Sequence, residues 1–345
     1  VSPSIARFSS ATRGSIIRRT IPAPSGLFRR PSTCRIGKMT LPELKRRGYP
    51  DDISIGSLAG AGTLGLLIPP SIIMIVYGVS ADVSIAQLFI AGVLPGIMLA
   101  GLFSGYLVFW ALRNPTLVPA ADAPMSMLEK LYESRHLIPV LLLIAAVLGS
   151  IYSGIATATE AAALGVLGSL ILSTAQGSMS WRTFVDSLMG GTRLYCMIAM
   201  ILSGAAFLTL AMGYLGLPRH LAEWIGTLNL SPAQLIMALT VFYVILGCFL
   251  DGISMVVLTM GVVMPTVQKA GIDPLWFGIF IVLVVEMAQI TPPVGFNLFV
   301  LQGMTRRGIG WIGRVTLPFF FLMVLSVVLI YVFPQIVNWL PRQMT

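Results

Sequence analysis

Two short stretches, Pro69-Pro70-Ser71 and Thr291-Pro292-Pro293, place adjacent prolines beside hydroxyl groups inside long apolar runs. Proline lacks the amide that would bond the carbonyl four residues earlier, so each doublet frees two carbonyls and disfavours helix at the residue before it. Freed carbonyls can coordinate a dehydrated hard cation, and a restarted helix offers its amides and positive dipole end to a carboxylate. Between apolar stretches 233–250 and 252–267, Asp251, Gly252 and Ser254 add a carboxylate, a pliable backbone and a hydroxyl; Asn297 adds an amide after the second doublet. The candidate binding set is Gly65, Pro69, Pro70, Ser71, Asp251, Gly252, Ser254, Thr291, Pro292, Pro293 and Asn297, with Thr291, Ser254 and Asp251 as the oxygen donors for a cation.

Each of these residues also has a plainer reading. A proline pair can simply kink a span, and the hydroxyls can bond the backbone that the kink frees. Asp251 is either a cation ligand or hairpin brace, or an interfacial residue in water. Gly65 and Gly295 also suit close packing. Glu160 follows Thr157 by three residues, the spacing of a helix cap, and that structural role is preferred to ion binding. Glu286 could face a cavity and compensate a cation, or pair with a neighbouring helix, and both readings stay open.

Other chemistries are excluded by what surrounds the remaining reactive residues. His136 and His220 stand apart, and Cys34, Cys196 and Cys248 have no zinc or disulfide spacing. No nucleophile motif, phosphate loop or pair of carboxylates at catalytic spacing occurs in the loops, so the chain reads as no enzyme and as needing no organic cofactor. The net charge of +9 carries eight positives before Glu43 (Arg7, Arg13, Arg18, Arg19, Arg29, Arg30, Arg35 and Lys38), which leaves +1 for the rest and no basic stripe for nucleic acid.

The elements that must position these residues are membrane helices. With 56% hydrophobic and 10% charged residues and repeated apolar runs, the chain is an all-α polytopic membrane protein. The segmentation predicts a broken span at 53–80, a span at 85–112 and a polar central loop at 113–136; one bent or two separate spans follow at 137–174. Further spans are expected at 190–215 and 233–250, with a connector at 218–228 between them; then come a short re-entrant hairpin near 251–267, a second broken span at 275–303 and a last span at 311–340.

Pro42, Gly48, Pro69 and Pro70 recur as Pro265, Gly271, Pro292 and Pro293 at one offset of 223 residues. A repeat whose two copies are interrupted at corresponding places is the sequence mark of a secondary transporter, with its site at the breaks. The recurrence favours a functional reading of both doublets over two accidental kinks.

With these features in view, Gly62-Thr63-Leu64-Gly65-Leu66-Leu67-Ile68-Pro69-Pro70-Ser71 and Ile290-Thr291-Pro292-Pro293-Val294-Gly295-Phe296-Asn297-Leu298-Phe299 resemble the large membrane subunit of tripartite ATP-independent periplasmic (TRAP) transporters. So do Gly37-Lys38-Met39 through Gly48-Tyr49, Ala156-Thr157-Ala158-Thr159-Glu160-Ala161-Ala162 and Phe249-Leu250-Asp251-Gly252, and the likeness runs from about Ile36 to the C-terminus. The resemblance implies an inverted-repeat ion-transporter fold with broken helices and re-entrant hairpins, working by an elevator-type motion in the bacterial inner membrane. It implies sodium-coupled import of small organic anions, C4-dicarboxylates among them, with a periplasmic solute-binding protein and a small membrane subunit as partners. Arg29-Arg30-Pro31-Ser32-Thr33-Cys34-Arg35 stands where that family has a Gly-Ser-Ser-Ala type sequence. The expected organisation is therefore a basic disordered or out-of-frame segment at 1–38, an incomplete first repeat at 39–112 lacking half of one sodium site, the loop 113–136, and a second repeat at 137–345. An N-terminally truncated or frameshifted chain raises a rival reading: a non-transporting membrane fragment that only associates with partner subunits. An ion channel fits less well, because no ring-forming filter motif occurs.

Lys45-Arg46-Arg47, Arg113, Lys130 and Arg135 point their loops to the cytoplasm. Two crossings at 137–174 make the broken spans point the same way, and one crossing inverts them; charge does not choose between these. Alternating access and the family likeness favour inversion, which puts Arg306-Arg307 on the cytoplasmic side.

Overall fold

The computed structural model describes residues 40–119, 126, 138–216, 220, 223, 227, 230–292, 295–305 and 307–343. The segment 1–38, most of the central loop and of the 218–228 connector, and Pro293 and Arg306 lie outside the described residues. After a short helix at 40–46 come α1 (Asp51–Leu67), α2 (Ile72–Ala81), α3 (Ile85–Arg113), α4 (Ile138–Tyr152), α5 (Ala158–Ala175) and α6 (Trp181–Tyr214). The second half contains α7 (Pro232–Leu246), α8 (Gly252–Lys269), α9 (Pro274–Gln289), α10 (Phe296–Thr305), α11 (Ile309–Val332) and α12 (Gln335–Arg342). No strand occurs among the described residues. Five of these helices (α3, α5, α6, α8 and α11) are long and apolar enough to cross a membrane, and α1 with α2, bent by 42° at the proline pair, makes a sixth. The protein is all-α and polytopic.

The helix starts follow local chemistry. Ser84, Ser180 and Ser231 accept hydrogen bonds from the amides of Gln87, Thr183 and Gln234, and Asp273 accepts one from Leu275. Thr157 and Glu160 form a reciprocal cap at the start of α5, as their spacing predicts.

The repeat is visible in three dimensions. At the 223-residue offset, α1, α2 and α3 correspond to α9, α10 and α11, with starts that agree to within one residue. Gly48 and Gly271, matched in sequence, both take left-handed φ values of 84° and 71°, where only glycine sits without strain. Each closes one helix so that the chain can enter the next.

Side-chain pairings fix the direction of the two copies. Asp51 pairs with Arg307 just ahead of α11, Gly56 abuts Val315, and Gly60 abuts Phe319, so α1 runs parallel to α11. The Trp276 indole donates to the Ile330 carbonyl, the Thr316 hydroxyl, bonded to Gly313 at 2.9 Å, lies 3.4 Å from the Ile290 carbonyl, and Pro292 packs over Gly313, so α9 is antiparallel to α11. It follows that α1 and α9 point in opposite directions, and the broken helices are inverted. Arg307 thereby lies at the same end of the bundle as Lys45-Arg46-Arg47.

Of two expected segments, one is decided between its alternatives and the other takes a different form. The 137–174 region is not one bent span but two helices: Leu143 packs on Gly168 and Val147 on Gly165, which makes α4 and α5 an antiparallel pair. The 252–267 stretch is a continuous helix rather than a hairpin in itself. Its partner arm is α7, expected as an independent span, and the turn lies at 247–251. Tyr243 bonds Thr259 at 2.7 Å, and Gly247 faces Met255, the constant register of an antiparallel hairpin. At 15 residues α7 extends only about 22 Å, short of the roughly 30 Å apolar core. Pairing α7 with α8 removes one crossing, so a double passage at 137–174 goes with inversion after all.

The core sits around α9, where every residue from Trp276 to Ala288 is buried. Phe319 of α11 fills the groove left by Gly56 and Gly60 and meets Phe103 and Tyr106 edge-on at 5.3 Å each. Edge-to-face pairs of this kind add about 0.5–1.5 kcal/mol to simple burial. Outside this core, the most apolar windows of α5 and α6 are only 6% buried, so these helices offer their apolar surface to lipid or to partner proteins.

Candidate functional site

The hairpin tip at 247–251 reaches both breaks. A β-carbon on Gly252 would lie 2.6 Å from Cγ1 of Val285, 3.1 Å from Cδ1 of Ile73 and 3.3 Å from Nε2 of Gln289. The tip therefore touches α2 just past Ser71 and α9 just before Thr291. At the preceding turn, Gly247 is pressed against Ala288, and the Cys248 thiol donates to the Pro292 carbonyl at 3.5 Å.

At the first break, Pro69 and Pro70 leave the carbonyls of Gly65 and Leu66 without the amides that would continue α1. Ser71 is buried and caps α2, its Oγ accepting from the Met74 amide at 3.4 Å. Pro69 is buried, whereas Pro70 and Ile68 are exposed. Gly65 does not serve close packing: it is exposed, and a β-carbon there would meet nothing within 4 Å. What position 65 contributes to the break is its freed carbonyl.

At the second break, Pro292 and Pro293 remove the amides that would reach Ala288 and Gln289, the residues matched to Gly65 and Leu66; the Ala288 carbonyl accepts from the Thr291 amide at 3.2 Å instead. The Thr291 hydroxyl donates to the Met287 carbonyl at 2.6 Å. Gly295 sits where a β-carbon would lie 2.6 Å from the Gln289 carbonyl oxygen and 2.8 Å from that of Thr291. Two main-chain oxygens thus converge on one glycine, and the close-packing reading of Gly295 holds. Asn297 is buried in the first turn of α10. Pro292 is exposed, and Pro293 lies outside the described residues.

Asp251 caps α8: Oδ2 accepts from the Ile253 and Ser254 amides at 3.1 and 3.2 Å, and Oδ1 accepts from the Ser254 hydroxyl at 2.5 Å. The carboxylate and the hydroxyl are thus joined at the tip as a local, exposed cap on α8. Ser254 and Thr291 donate their protons to these partners and keep oxygen lone pairs. No cluster of three or more His, Cys, Asp or Glu residues suited to a transition metal occurs among the described residues.

Sequence reasoning missed Gly247, Cys248, Gln289 and Thr316. Gln289 is the polar residue of α9 nearest Gly252, and Thr316 reaches the Ile290 carbonyl at 3.4 Å. Their signal is weak in sequence, since each is a lone small or polar residue in an apolar run. A separate cavity of ≈ 830 Å³ opens between α2, α6 and α8, lined by Ser80, Thr209 and Met260 among others; it contains none of the predicted site residues.

Residues 31–336 match the family model of the tripartite ATP-independent periplasmic transporter, DctM component. The chain is similar to the C4-dicarboxylate TRAP transporter large permease protein DctM of Pseudomonas aeruginosa, with 32% identity over 89% of this chain and 71% of that protein. It is 34% identical to the ectoine/5-hydroxyectoine TRAP transporter large permease protein UehC of Ruegeria pomeroyi, over 88% of this chain and 71% of that one. It is 27% identical to the sialic acid TRAP transporter large permease protein SiaM of Vibrio cholerae, over 89% and 71% respectively. Inverted broken helices, a re-entrant hairpin reaching both breaks and a match over most of the chain agree: the protein belongs to the DctM family, the large permease component of TRAP transporters, and is a multi-pass transporter subunit of the bacterial inner membrane rather than an enzyme.

Proposed function

We propose that this subunit uses a sodium gradient to import a small carboxylate-bearing solute, handed over by a periplasmic solute-binding protein while a small membrane subunit is docked alongside. The observation that carries the proposal is the meeting of the hairpin tip with both proline-paired breaks. Main-chain oxygens freed by the prolines suit sodium, which prefers hard oxygen ligands and tolerates neutral ones. In this reading the oxygens of Thr291, Ser254 and Asp251 complete the coordination, and the amides that open α2 and α10 receive the solute carboxylate. Gly65, Pro69, Pro70, Ser71, Gly252, Pro292, Pro293 and Asn297 shape the backbone around that pocket. Three solutes named for relatives, C4-dicarboxylate, ectoine and sialic acid, carry a carboxylate, and isethionate, named for another, carries a sulfonate in its place.

The test is uptake by proteoliposomes holding this chain with the small subunit and binding protein encoded beside it. Labelled C4-dicarboxylate, sialic acid and ectoine are each offered with an inward sodium or potassium gradient. Uptake that requires sodium is expected for at least one solute. Equal uptake in potassium removes the coupling ion from the proposal, and no uptake of any of the three removes the solute class.

A further inference from the structure

With 24 residues, α11 extends about 36 Å, more than the roughly 30 Å apolar core of a bilayer. It starts beside Arg307, at the end of the bundle that carries Lys45-Arg46-Arg47, so Val332 ends it at the opposite membrane face. There the chain turns at Phe333-Pro334 into α12, which packs on α3 and α9. At 100° per residue the positions of α12 divide into three sectors. Val337 and Pro341 are buried and form the seam against the bundle. On one side of that seam lie Asn338, Arg342 and Gln335; on the other lie Leu340, Ile336 and Trp339. The polar flank meets the start of α9, where Asn338 donates to Oδ2 of the exposed Asp273 at 3.2 Å while Oδ1 of Asp273 caps that helix. The apolar flank stays open: Trp339 is exposed, Ile336 and Leu340 are half-buried, and Val332 and Phe333, just ahead of the helix, are exposed as well.

We propose that α12 is an interfacial helix, seated in the headgroup region of the bilayer with Trp339, Ile336 and Leu340 turned toward the acyl chains. Depth fixes what covers the open flank. Residues just past the end of a full membrane crossing lie where headgroups meet water, and tryptophan, apolar in body and polar at its indole N–H, is enriched at that level. A helix with one flank for water and one for lipid lies in the plane of the interface, and eight residues, about 12 Å, are too few to cross. Seated there, α12 ties the start of α9, the helix that leads to the second break, to the membrane surface through Asn338 and Asp273.

Tryptophan fluorescence of the purified full chain in liposomes tests this without substrate or partner subunits, so the outcome is independent of the proposed function. The emission lost on Trp339→Phe is the contribution of this indole. That contribution is expected to be quenched by phospholipids brominated high on the acyl chain, less by those brominated near the chain end, and little by iodide present on both sides. In the Trp339→Phe background, an indole introduced by Leu340→Trp is expected to be quenched by the brominated lipid, and one introduced by Gln335→Trp by iodide, which reads the orientation of the helix even where Trp339 itself emits weakly. Quenching of Trp339 mainly by iodide places the flank in water, quenching mainly by chain-end bromines places it in the bilayer core, and a contribution that neither quencher reaches places it against protein. Each of these overturns the proposal, as does a Leu340→Trp indole that answers to iodide rather than to lipid.

Discussion

At the second break Pro292 packs over Gly313 of α11, the Thr316 hydroxyl comes within 3.4 Å of the Ile290 carbonyl while bonding Gly313, the Cys248 thiol reaches Pro292, and Gly295 admits two carbonyls within 3 Å of its missing β-carbon. At the first break the corresponding helix is α3, which approaches through Gly92 beside the Leu67 carbonyl and Gly96 beside Ile68. No hydroxyl supports it there, because the residue matched to Thr316 is Val93. Pro70 and Ile68 are exposed, and Gly65 faces open space. The two copies share a spacing and differ in how their loosened main chain is held: the second by hydrogen bonds and close backbone packing, the first by apolar contact and its own Ser71 cap. One repeat motif therefore produces a braced break and a more exposed one.

The sharpest way to break this contrast is to add the same methyl group to both copies. Gly295→Ala places a carbon 2.6 Å from the Gln289 carbonyl oxygen and forces the backbone apart. Overpacking against main chain costs about 1–3 kcal/mol, so a clear fall in Tm and loss of uptake are expected. Gly65→Ala meets nothing within 4 Å, and both measurements are expected to stay at wild-type values. Equal effects of the two substitutions would show that the breaks are held alike.

The next largest effect concerns Thr316. Thr316→Val keeps the shape and removes a buried hydroxyl shared between the Gly313 carbonyl at 2.9 Å and the Ile290 carbonyl at 3.4 Å, at about 1–2 kcal/mol. The reciprocal change, Val93→Thr, tests whether the first break gains from a brace placed at the matched position. A Thr316→Val melt indistinguishable from wild type would remove the hydrogen bond from the comparison and leave packing alone.

A smaller change separates two roles of the hairpin tip. Asp251→Ala removes the cap of α8 and is expected to cost about 1 kcal/mol. Asp251→Asn keeps an oxygen for the Ile253 and Ser254 amides, so its Tm is expected to stay close to wild type. If the carboxylate also holds sodium, Asp251→Asn weakens the sodium dependence of uptake while leaving the melt unchanged. If the residue is a brace alone, only the alanine variant transports poorly.

How much of this was legible in sequence follows from the range of each signal. Proline doublets act on their own helix, so both breaks and the repeat could be read directly. The Thr157–Glu160 cap is equally local, and it forms. The hairpin was misread because the run 233–250 is long enough to count as a span, and its turn at 247–251 is marked by neither proline nor a change in polarity before Asp251. Only the register of Tyr243 with Thr259 reveals it, and that is a tertiary fact. Gly65 and Gly295 make the same point in reverse: sequence treated them alike, but what surrounds a glycine is decided by the packing of other elements.

The smallest expected effect lies away from both breaks, in the α4–α5 pair. Both the amide and the hydroxyl of Thr157 donate to Oε2 of Glu160 at 2.8 Å, and the Glu160 amide returns a bond to Thr157 at 3.3 Å. A glutamine oxygen accepts the same two bonds, and glutamine serves this capping position as glutamate does. The negative charge lost is exposed and screened by water, so it contributes little to the helix start. Glu160→Gln is therefore expected to leave both the melt and sodium-driven uptake unchanged. Loss of uptake with an intact melt would instead show that the charge serves transport, which would move part of the ion pathway out of the two breaks and onto α5.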